Sequence, residues 1–426
     1  MKNVIDHLKK RNFIEALTSD QIAEALEKPQ KIYVGFDMTA RSLHLGNLAC
    51  LILLKWFQLS GHTPVILLGG ATTKIGDPSG KSQERPLLPV QEIEKNFQAI
   101  KEQVGRFLDF EGDNGALIYD NDTWLGQINF VDFLRDVGKH FRLGPMLGKE
   151  SVRERLKSEE GMSFTEFSYP LLQGYDFFHL ARSEGVFFQA GGSDQWGNIL
   201  AGIELSRRLN GPTLYGLTFP LITRSDGKKF GKSEKGALWL DKAMTSPYEL
   251  YQYLYSVPDS DVIKLMQRLT FIDCEVIEEF EREREGQKLS PNFLQKRLAE
   301  EVVLFVHGEK GLSEAMAATQ GAAFGSGELT AKSLSKAAEH LPNISLTRDE
   351  VVGKTFSELA HQVGLLKSKG EANRLIKGGG AYINNEKVSE TTKLIGPDDL
   401  IDQCFLLLGS GKKKKMLIAI SDSTPS

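Results

Sequence analysis

Two short segments, far apart in the chain, carry residue types that phosphate chemistry needs. The first is Leu43-His44-Leu45-Gly46-Asn47, after a β-like run, and the second is Lys229-Phe230-Gly231-Lys232-Ser233, in a polar, glycine-rich loop. An imidazole and backbone N–H groups at a helix start can hold phosphate oxygens, and two lysines beside a glycine supply mobile positive charges. Each segment alone is also typical of a capped helix or a surface turn. Together they predict one ATP-handling site.

The elements around the first segment indicate an α/β domain over residues 1–220. A β-rich run at 31–36 is followed by a helical pattern at 45–59 and by an apolar run at 63–70 that ends in glycines. Strands that alternate with helices form a parallel sheet, and its ligands bind beyond the carboxyl ends of the strands. We therefore expect a Rossmann-like catalytic domain with candidate site residues at these strand ends and in the adjoining loops and helices.

The rest of the chain predicts three further regions. Residues 221–320 contain the lysine loop and charged amphipathic segments, and Ser246-Pro247 is typical of a helix start, so an α-helical domain is expected. Residues 321–350 are rich in Gly, Ala and Ser and are interpreted as a linker. Residues 351–426 predict a small α+β module with two helices, a turn at Asn384-Asn385 and two late strands.

Composition limits the class of protein. The chain has 426 residues, of which 41% are apolar and 25% charged, as in soluble globular proteins of several domains. The net charge is −4 overall, but residues 351–426 carry +3 and the remainder −7, which puts the RNA-binding candidate at the C-terminus. The three cysteines lack metal-ligand spacing, and no signal-peptide core or membrane-length apolar run is found, so a cytoplasmic protein without membrane contact is expected.

Further motifs extend the pattern along nearly the whole chain. In order they are Tyr33-Val34-Gly35-Phe36-Asp37, residues 69–81, 133–141 and 164–169, Gln173-Gly174-Tyr175-Asp176, and residues 191–198, which begin Gly191-Gly192-Ser193-Asp194-Gln195. Together with the first two segments they resemble the bacterial-type tyrosyl-tRNA synthetases, a family of class I aminoacyl-tRNA synthetases. The C-terminal pair of helices, basic on one side, and the hairpin after it resemble the S4 RNA-binding domain.

The resemblance implies a role for each matching residue. On the tyrosine side, the phenol oxygen would be held by Tyr33 and Asp176, the ammonium group by Asp77, Tyr169 and Gln173, and the carboxylate would lie near Gln195. The ATP-binding residues would be Asp37, Thr39, His44, Asn47, Gly192, Asp194, Lys232 and Ser233. The catalytic groups at the phosphates would be His44, Lys81, Arg85, Lys229 and Lys232. The RNA contacts would be Lys367, Lys369, Arg374, Lys377, Lys412, Lys413, Lys414 and Lys415.

The resemblance also implies an activity and its partners. The expected reaction joins L-tyrosine to ATP as tyrosyl-AMP with release of pyrophosphate, and then transfers the tyrosyl group to the 3'-terminal ribose of tRNA-Tyr. ATP is a substrate, Mg²⁺ comes with it, and no metal held tightly by the protein is expected. The expected partner protein is a second copy of the chain, with residues 133–141 at or near the homodimer interface, and residues 221–320 would lie on the anticodon side.

One position departs from the family's first motif. Asn47 stands where a second histidine is usual. Asparagine keeps a donor and an acceptor at similar reach, so a contact with the adenosine ribose is still expected.

Two other functions fit parts of the pattern. A tryptophanyl enzyme of the same class is disfavoured by Tyr33 and Asp176, because indole has no hydroxyl for them to bind. An RNA-binding protein on an inactive synthetase scaffold is disfavoured because the chain retains the residues His44, Asp77, Asp176 and Lys232.

Overall fold

The structure is a computed structural model that describes residues 3–79, 87–159, 161–225, 230–233, 236–322, 329–338, 341–411 and 414–421. Its contacts divide the chain into two compact units, Met1–Met244 with Val257–Val302 and Thr245–Ser256 with Val303–Ser426. Within the described ranges no helix has the length and apolar character that a membrane crossing needs.

The first unit is built on a six-stranded sheet. Its strands are β1 (Ala16–Leu17), β2 (Lys31–Phe36), β3 (Thr63–Leu68), β4 (Leu117–Asp120), β5 (Phe188–Gly192) and β6 (Tyr215–Phe219), in the spatial order β1-β6-β5-β2-β3-β4. Strands β2 to β6 are parallel, and β1 is antiparallel at one edge. The strand order reverses between β2 and β5, which is where such sheets open a ligand crevice. The predicted Rossmann-like parallel sheet is confirmed.

Helices precede, connect and follow these strands along the chain. The α-helices of the first unit are Val4–Lys10, Ile22–Ala25, Leu48–Leu59, Val90–Val104, Asp122–Leu125, Phe130–Asp136, Leu143–Leu147, Glu150–Lys157, Phe164–Glu184, Trp196–Arg208, Asp259–Leu269 and Cys274–Glu285. Short 3₁₀ helices lie at Leu45–Asn47, Thr72–Lys74, Gly138–His140 and Ser193–Gln195, and a hairpin of β7 (Lys232–Ser233) and β8 (Gly236–Ala237) follows the sheet. Five successive residues of β3 are buried, as expected for a central strand covered on both faces.

The helices at 257–302 belong to the first unit and do not form the separate domain that the sequence predicted. Arg11 gives one physical reason, because its guanidinium is fully buried against the end of the helix Asp259–Leu269. It donates to the carbonyls of Gln267 at 2.8 Å and Ile272 at 2.7 Å, and also to that of Thr270. These bonds satisfy carbonyls that the end of a helix leaves without partners, and they place a positive charge at its negative pole.

The second unit carries a five-stranded sheet. Its strands are β9 (Asn343–Thr347), β10 (Ala381–Ile383), β11 (Glu386–Lys387), β12 (Phe405–Ser410) and β13 (Lys414–Ser421), in the order β11-β10-β12-β13-β9. Its helices are Pro247–Tyr255, Ala331–Ala338, Arg348–Val351, Phe356–Gln362, Lys369–Lys377 and the 3₁₀ helix Pro397–Asp399. The helix Phe293–Ala322 is interrupted at Gly308, where φ is 69°, and residues on either side of position 302 belong to different units.

Local signals in this unit are confirmed. Ser246 caps the helix Pro247–Tyr255 and forms a capping box with Glu249. Asn384 and Asn385 form the predicted turn between β10 and β11, with φ values of 47° and 67°. These positive angles suit asparagine better than most residues.

The prediction of a linker at residues 321–350 is wrong for most of the residues that the structure describes in this range. The helix Ala331–Ala338 lies inside this range, and β9 pairs in parallel with β13. Leu334 and Leu341 are buried in one cluster with Leu407 and Leu417. The Gly, Ala and Ser content suggested a linker, but alanine is also the strongest helix former, and a few leucines are enough to anchor the segment.

We expect Arg11→Ala to lower the free energy of unfolding by about 3–5 kcal/mol, because it leaves several buried carbonyls without a donor. Arg284→Ala is the control, since Arg284 donates to the Asp259 carbonyl at 2.9 Å near the opposite end of the same helix from a more exposed position. It should change stability by less than about 1 kcal/mol. Urea unfolding measures both, and equal midpoints for the two variants would contradict the role given to Arg11.

Candidate active site

The structure brings the two phosphate segments together beyond the carboxyl end of β2. The Leu45 N–H donates to the Leu238 carbonyl at 2.8 Å, and the Leu238 N–H donates to the Gly231 carbonyl at 2.9 Å. Gly231 lies so close to the first motif that a Cβ built on it would be 3.2 Å from the Gly46 nitrogen. The described part of the lysine loop is therefore adjacent to the first motif, as one ATP site requires.

His44 and Asn47 form the start of the 3₁₀ helix Leu45–Asn47. The Asn47 Oδ1 accepts from the His44 backbone N–H at 3.1 Å, and the His44 carbonyl accepts from the Asn47 backbone N–H at 2.8 Å. His44 itself is exposed. Asn47, which stands where the family usually has its second histidine, thus holds the backbone of His44 through its side chain.

Tyr33 and Asp176 lie together inside the unit. Tyr33 is fully buried, and its hydroxyl has no hydrogen-bond partner among the described residues. Burial and, after it, the Asp176 carboxylate raise the pKa of Tyr33 well above its ordinary value. Burial also raises the pKa of Asp176 to about 7. A buried hydroxyl without a partner beside a buried carboxylate has the chemistry to receive a ligand group that can both donate and accept.

Two residues that the sequence analysis missed fix the Asp176 carboxylate. Asn121 donates to one oxygen at 2.9 Å, and the Trp124 indole donates to the other at 2.7 Å. These bonds act against the effect of burial on the pKa of Asp176. Asn121 directly follows β4, and the short apolar run Ala116-Leu117-Ile118-Tyr119 before it is the signal from which this strand end could have been predicted.

Carboxylates surround the buried Tyr169 hydroxyl. Tyr169 donates to Asp37 at 3.1 Å, and Asp37 also accepts from Thr72 at 2.9 Å. Burial raises the pKa of Tyr169 well above its ordinary value, and Asp37, Asp77 and Asp176 add to the effect in that order. The negative potential suits an ammonium group. Asp37, expected on the ATP side, therefore lies against a residue expected on the tyrosine side.

Asn198 links the other residues of this subsite, although the sequence analysis gave it no role. Its amide nitrogen lies 3.0 Å from the Gln173 Oε1 and 3.4 Å from the Gln195 Oε1. The Gln195 amide in turn donates to Asp77 at 2.7 Å. Asn198 is buried, so these contacts fix the directions of three side chains that the sequence predicted to bind tyrosine.

The remaining ATP-side predictions lie at strand ends or in the lysine loop. Gly192 ends β5, and a Cβ built on it would come within 2.7 Å of the Asp194 Oδ1. Thr39 is exposed shortly after β2, and Lys232 is exposed in β7, where the side chain of Ser233 is not described. The candidates outside the described residues are Lys81, Arg85, Lys229, Lys412 and Lys413.

The described RNA-binding candidates divide into two groups. The first group is exposed and consists of Lys367, Lys369, Arg374, Lys377 and Lys414. Within it, Lys369 forms an ion pair with Glu358 at 3.1 Å. Lys415 is only 8% exposed, its ammonium group donates to Asn385, and it lies 5.9 Å from the centre of the Tyr382 ring. Burial lowers the pKa of Lys415. Lys415 is thus held inside the unit and is not placed to meet a phosphate.

Family models match both units. Residues 25–323 match the class I tRNA synthetases (W and Y), and residues 333–418 match the tyrosine–tRNA ligase SYY-like C-terminal domain. The chain belongs to the class I tRNA synthetase family of the W and Y type.

Individual relatives are similar over almost the full length. The tyrosine–tRNA ligase of Protochlamydia amoebophila is 49% identical over 424 residues, which cover 99% of this chain and 100% of that protein. The chloroplastic/mitochondrial tyrosine–tRNA ligase of Arabidopsis thaliana is 46% identical, and the aligned region covers 98% of this chain and 84% of that protein. The crystal structure of a C-terminally truncated mitochondrial tyrosyl-tRNA synthetase from Aspergillus nidulans superposes with a TM-score of 0.65 at 30% identity, covering 75% of this chain and 94% of that one.

The raised pKa of Asp176 predicts a pH dependence of stability in the ligand-free protein. Its pKa in the folded state, about 7, exceeds the ordinary value of 3.8, so between these values the folded state binds more protons than the unfolded one. The contribution of Asp176 to the free energy of unfolding is therefore present below about pH 4 and is lost as pH rises through 7. Asp176→Asn should remove this loss between pH 5 and pH 8 in urea unfolding. Asp113→Asn, at an exposed position away from the site, should keep the pH profile of the unaltered protein. If Asp176→Asn also kept that profile, the raised pKa of Asp176 would be contradicted.

Proposed function

We propose that this chain is a tyrosine–tRNA ligase, which activates L-tyrosine with ATP and then charges tRNA-Tyr. The observation that carries the proposal is the buried Tyr33 hydroxyl without a partner beside the Asp176 carboxylate. A substrate phenol would accept a hydrogen bond from Tyr33 and donate one to Asp176. Neither phenylalanine nor tryptophan carries a hydroxyl to fill this position, so both would leave the two buried groups unpaired.

The amino-acid head group has a matching environment. Its ammonium group would lie among Asp77, Gln173 and the Tyr169–Asp37 pair, where the carboxylates favour a positive charge. Its carboxylate would then face Gln195 and the phosphate side. Binding both ends of the substrate fixes the direction of the carboxylate before it attacks the α-phosphate.

The phosphate side must neutralise negative charge, since both the carboxylate and the α-phosphate are anionic. His44 and Lys232 would act at the phosphates, together with Lys81, Arg85 and Lys229 outside the described residues. Among the described residues no group of three or more His, Cys, Asp or Glu side chains could hold a metal ion. Mg²⁺ would arrive on ATP, held mainly by the phosphates, and would supply positive charge at the leaving pyrophosphate.

The second unit would bind tRNA-Tyr as an S4-like domain. Lys369, Arg374 and Lys377 lie on one nine-residue helix, and Lys367 precedes it. Exposed cations at this spacing contact phosphates without reading sequence. A cytoplasmic location is also proposed, because three cysteines, an odd number, fit a reducing compartment better than a disulfide framework.

A homodimer is also proposed, on the basis of exposed apolar side chains near residues 133–141. In the helices Phe130–Asp136 and Leu143–Leu147, Phe130, Val131 and Leu143 are each at least 65% exposed. Large apolar residues grouped in this way typically mark a protein interface. These three residues flank residues 133–141, the segment that the resemblance implied for the dimer contact.

Substrate specificity tests the proposed function. ATP–pyrophosphate exchange should depend on L-tyrosine and on no other amino acid. Tyr33→Phe should narrow the ratio of kcat/KM between tyrosine and phenylalanine by about 2- to 10-fold, because one uncharged hydrogen bond contributes roughly 0.5–1.5 kcal/mol. Tyr215→Phe, at a partly exposed site on β6, should leave the ratio unchanged. No tyrosine-dependent exchange in the unaltered protein would rule out the function, and an unchanged ratio in Tyr33→Phe would remove Tyr33 from the subsite.

The oligomeric state tests the proposed interface. Val131→Asp should shift the protein from dimer towards monomer in sedimentation velocity, since it places an unpaired charge in a contact that excludes water. Leu59→Asp is the control, because Leu59 is also exposed, at 55%, on a different helix. Dimerisation of Val131→Asp at the same concentrations as the unaltered protein would show that the interface lies elsewhere.

A further inference from the structure

Residues 238–240 (Leu238-Trp239-Leu240), called the strap below, run antiparallel to residues 43–45. The centre of the pairing is the bridge between His44 and Trp239. Two bonds hold it: Leu45 N–H to the Leu238 carbonyl at 2.8 Å, and Leu240 N–H to the Leu43 carbonyl at 2.8 Å. These bonds flank the His44–Trp239 pair and do not join it. In such a pair the side chains of the two facing residues approach most closely.

Burial shows which way the paired side chains point. Leu43, Leu45, Leu238 and Leu240 are all buried, between 0% and 6% exposed, whereas His44 is exposed and Trp239 is half-buried. Because side chains alternate between the two faces of an extended chain, the leucines anchor both segments on one face, and His44 and Trp239 share the other. Their ring centroids are 6.3 Å apart, with planes tilted by 59°.

The strap also holds the lysine loop. The Leu238 N–H donates to the Gly231 carbonyl at 2.9 Å, and Gly231 has a φ of 74°, which favours glycine. Lys232 follows and pairs with Ala237, the residue directly before the strap. The backbone of Leu238 thus bonds to both phosphate segments.

We infer that Trp239 is a positioning residue that sets the direction of the His44 imidazole, and that the strap keeps this imidazole in register with Lys232. The inference rests on the proposed function, in which both groups act at the ATP phosphates. The facing indole restricts the rotamers that are open to the His44 imidazole. A displacement of about 1 Å in a reacting group can cost roughly 100-fold in rate, so a ring that restricts the imidazole matters for catalysis.

A double-mutant cycle tests the inference on the full chain. Trp239→Ala should lower the rate constant of tyrosyl-AMP formation roughly 10- to 100-fold and leave the Kd for tyrosine within about 2-fold. Trp239→Phe, which keeps an aromatic ring, should recover most of the rate. In the His44→Ala background, Trp239→Ala should cost less than about 2-fold, because the group that it positions is already absent. Phe110→Ala is the control, since Phe110 is an exposed aromatic residue outside the site, 40% exposed.

The imidazole signals of His44 in NMR give a second readout that does not depend on activity. Trp239→Ala should shift them and Phe110→Ala should not, because the ring current of the facing indole is lost only in the first variant. Equal losses of rate from Trp239→Ala with and without His44 would overturn the inference, as would unshifted His44 signals or a parallel loss of tyrosine binding. Where Trp239→Ala lowers the unfolding midpoint below the assay temperature, Trp239→Leu takes its place in the same cycle. Absence of tyrosine-dependent exchange in the unaltered protein would refute the proposed function, and the NMR comparison would still decide the positioning role.

Discussion

Parallel pairing of β2 with both β3 and β5 is the constraint on which the site depends. Parallel strands end at the same edge of a sheet, so the residues that follow them converge however far apart they lie in sequence. Asp37 follows β2, Thr72 lies in the 3₁₀ helix after β3, and Asn121 follows β4. Hydrogen bonds then join all three residues. The sheet therefore brings the residues of the candidate site together, and the motifs supply the chemistry of these residues.

The candidate site concentrates negative charge at a cost to the stability of the ligand-free protein. Burial raises the pKa of Asp176 to about 7, and Asp37 and Asp120 act in the same direction. Its two hydrogen bonds come from neutral donors, the amide of Asn121 and the indole of Trp124. Neutral donors orient a carboxylate without cancelling its charge, so the potential remains available to a substrate. This arrangement suits a site whose own ligand brings the compensating ammonium group and phenol proton.

Sequence patterns predicted what local residues determine. The apolar runs of β2 and β3, the cap at Ser246 and the turn at Asn384 each depend on a few neighbouring residues, and all are present in the structure. The strand-end rule also predicted where the polar site residues would lie, because it depends only on strand type and direction.

Contacts between distant residues were not predictable in this way. Arg11 follows two lysines, in a segment whose charge is typical of a protein surface. It is nevertheless fully buried against carbonyls that lie more than 250 positions away. Lys415 belongs to a four-lysine run, yet the alternation of β13 turns it inward. The segment that contains Leu334 has a linker-like composition, yet that leucine reaches a cluster formed by the last strands. In each case the deciding partner comes from elsewhere in the chain.

The start of the 3₁₀ helix explains how the first motif accommodates asparagine. The His44 N–H needs an acceptor three residues ahead, and the side chain of Asn47 provides one at 3.1 Å. An imidazole at position 47 could also accept through one ring nitrogen, but only in the tautomer that leaves that nitrogen unprotonated. An amide oxygen is an acceptor at every accessible pH, so asparagine keeps His44 in place independently of protonation. The substitution therefore preserves the backbone geometry that the strap and the lysine loop share.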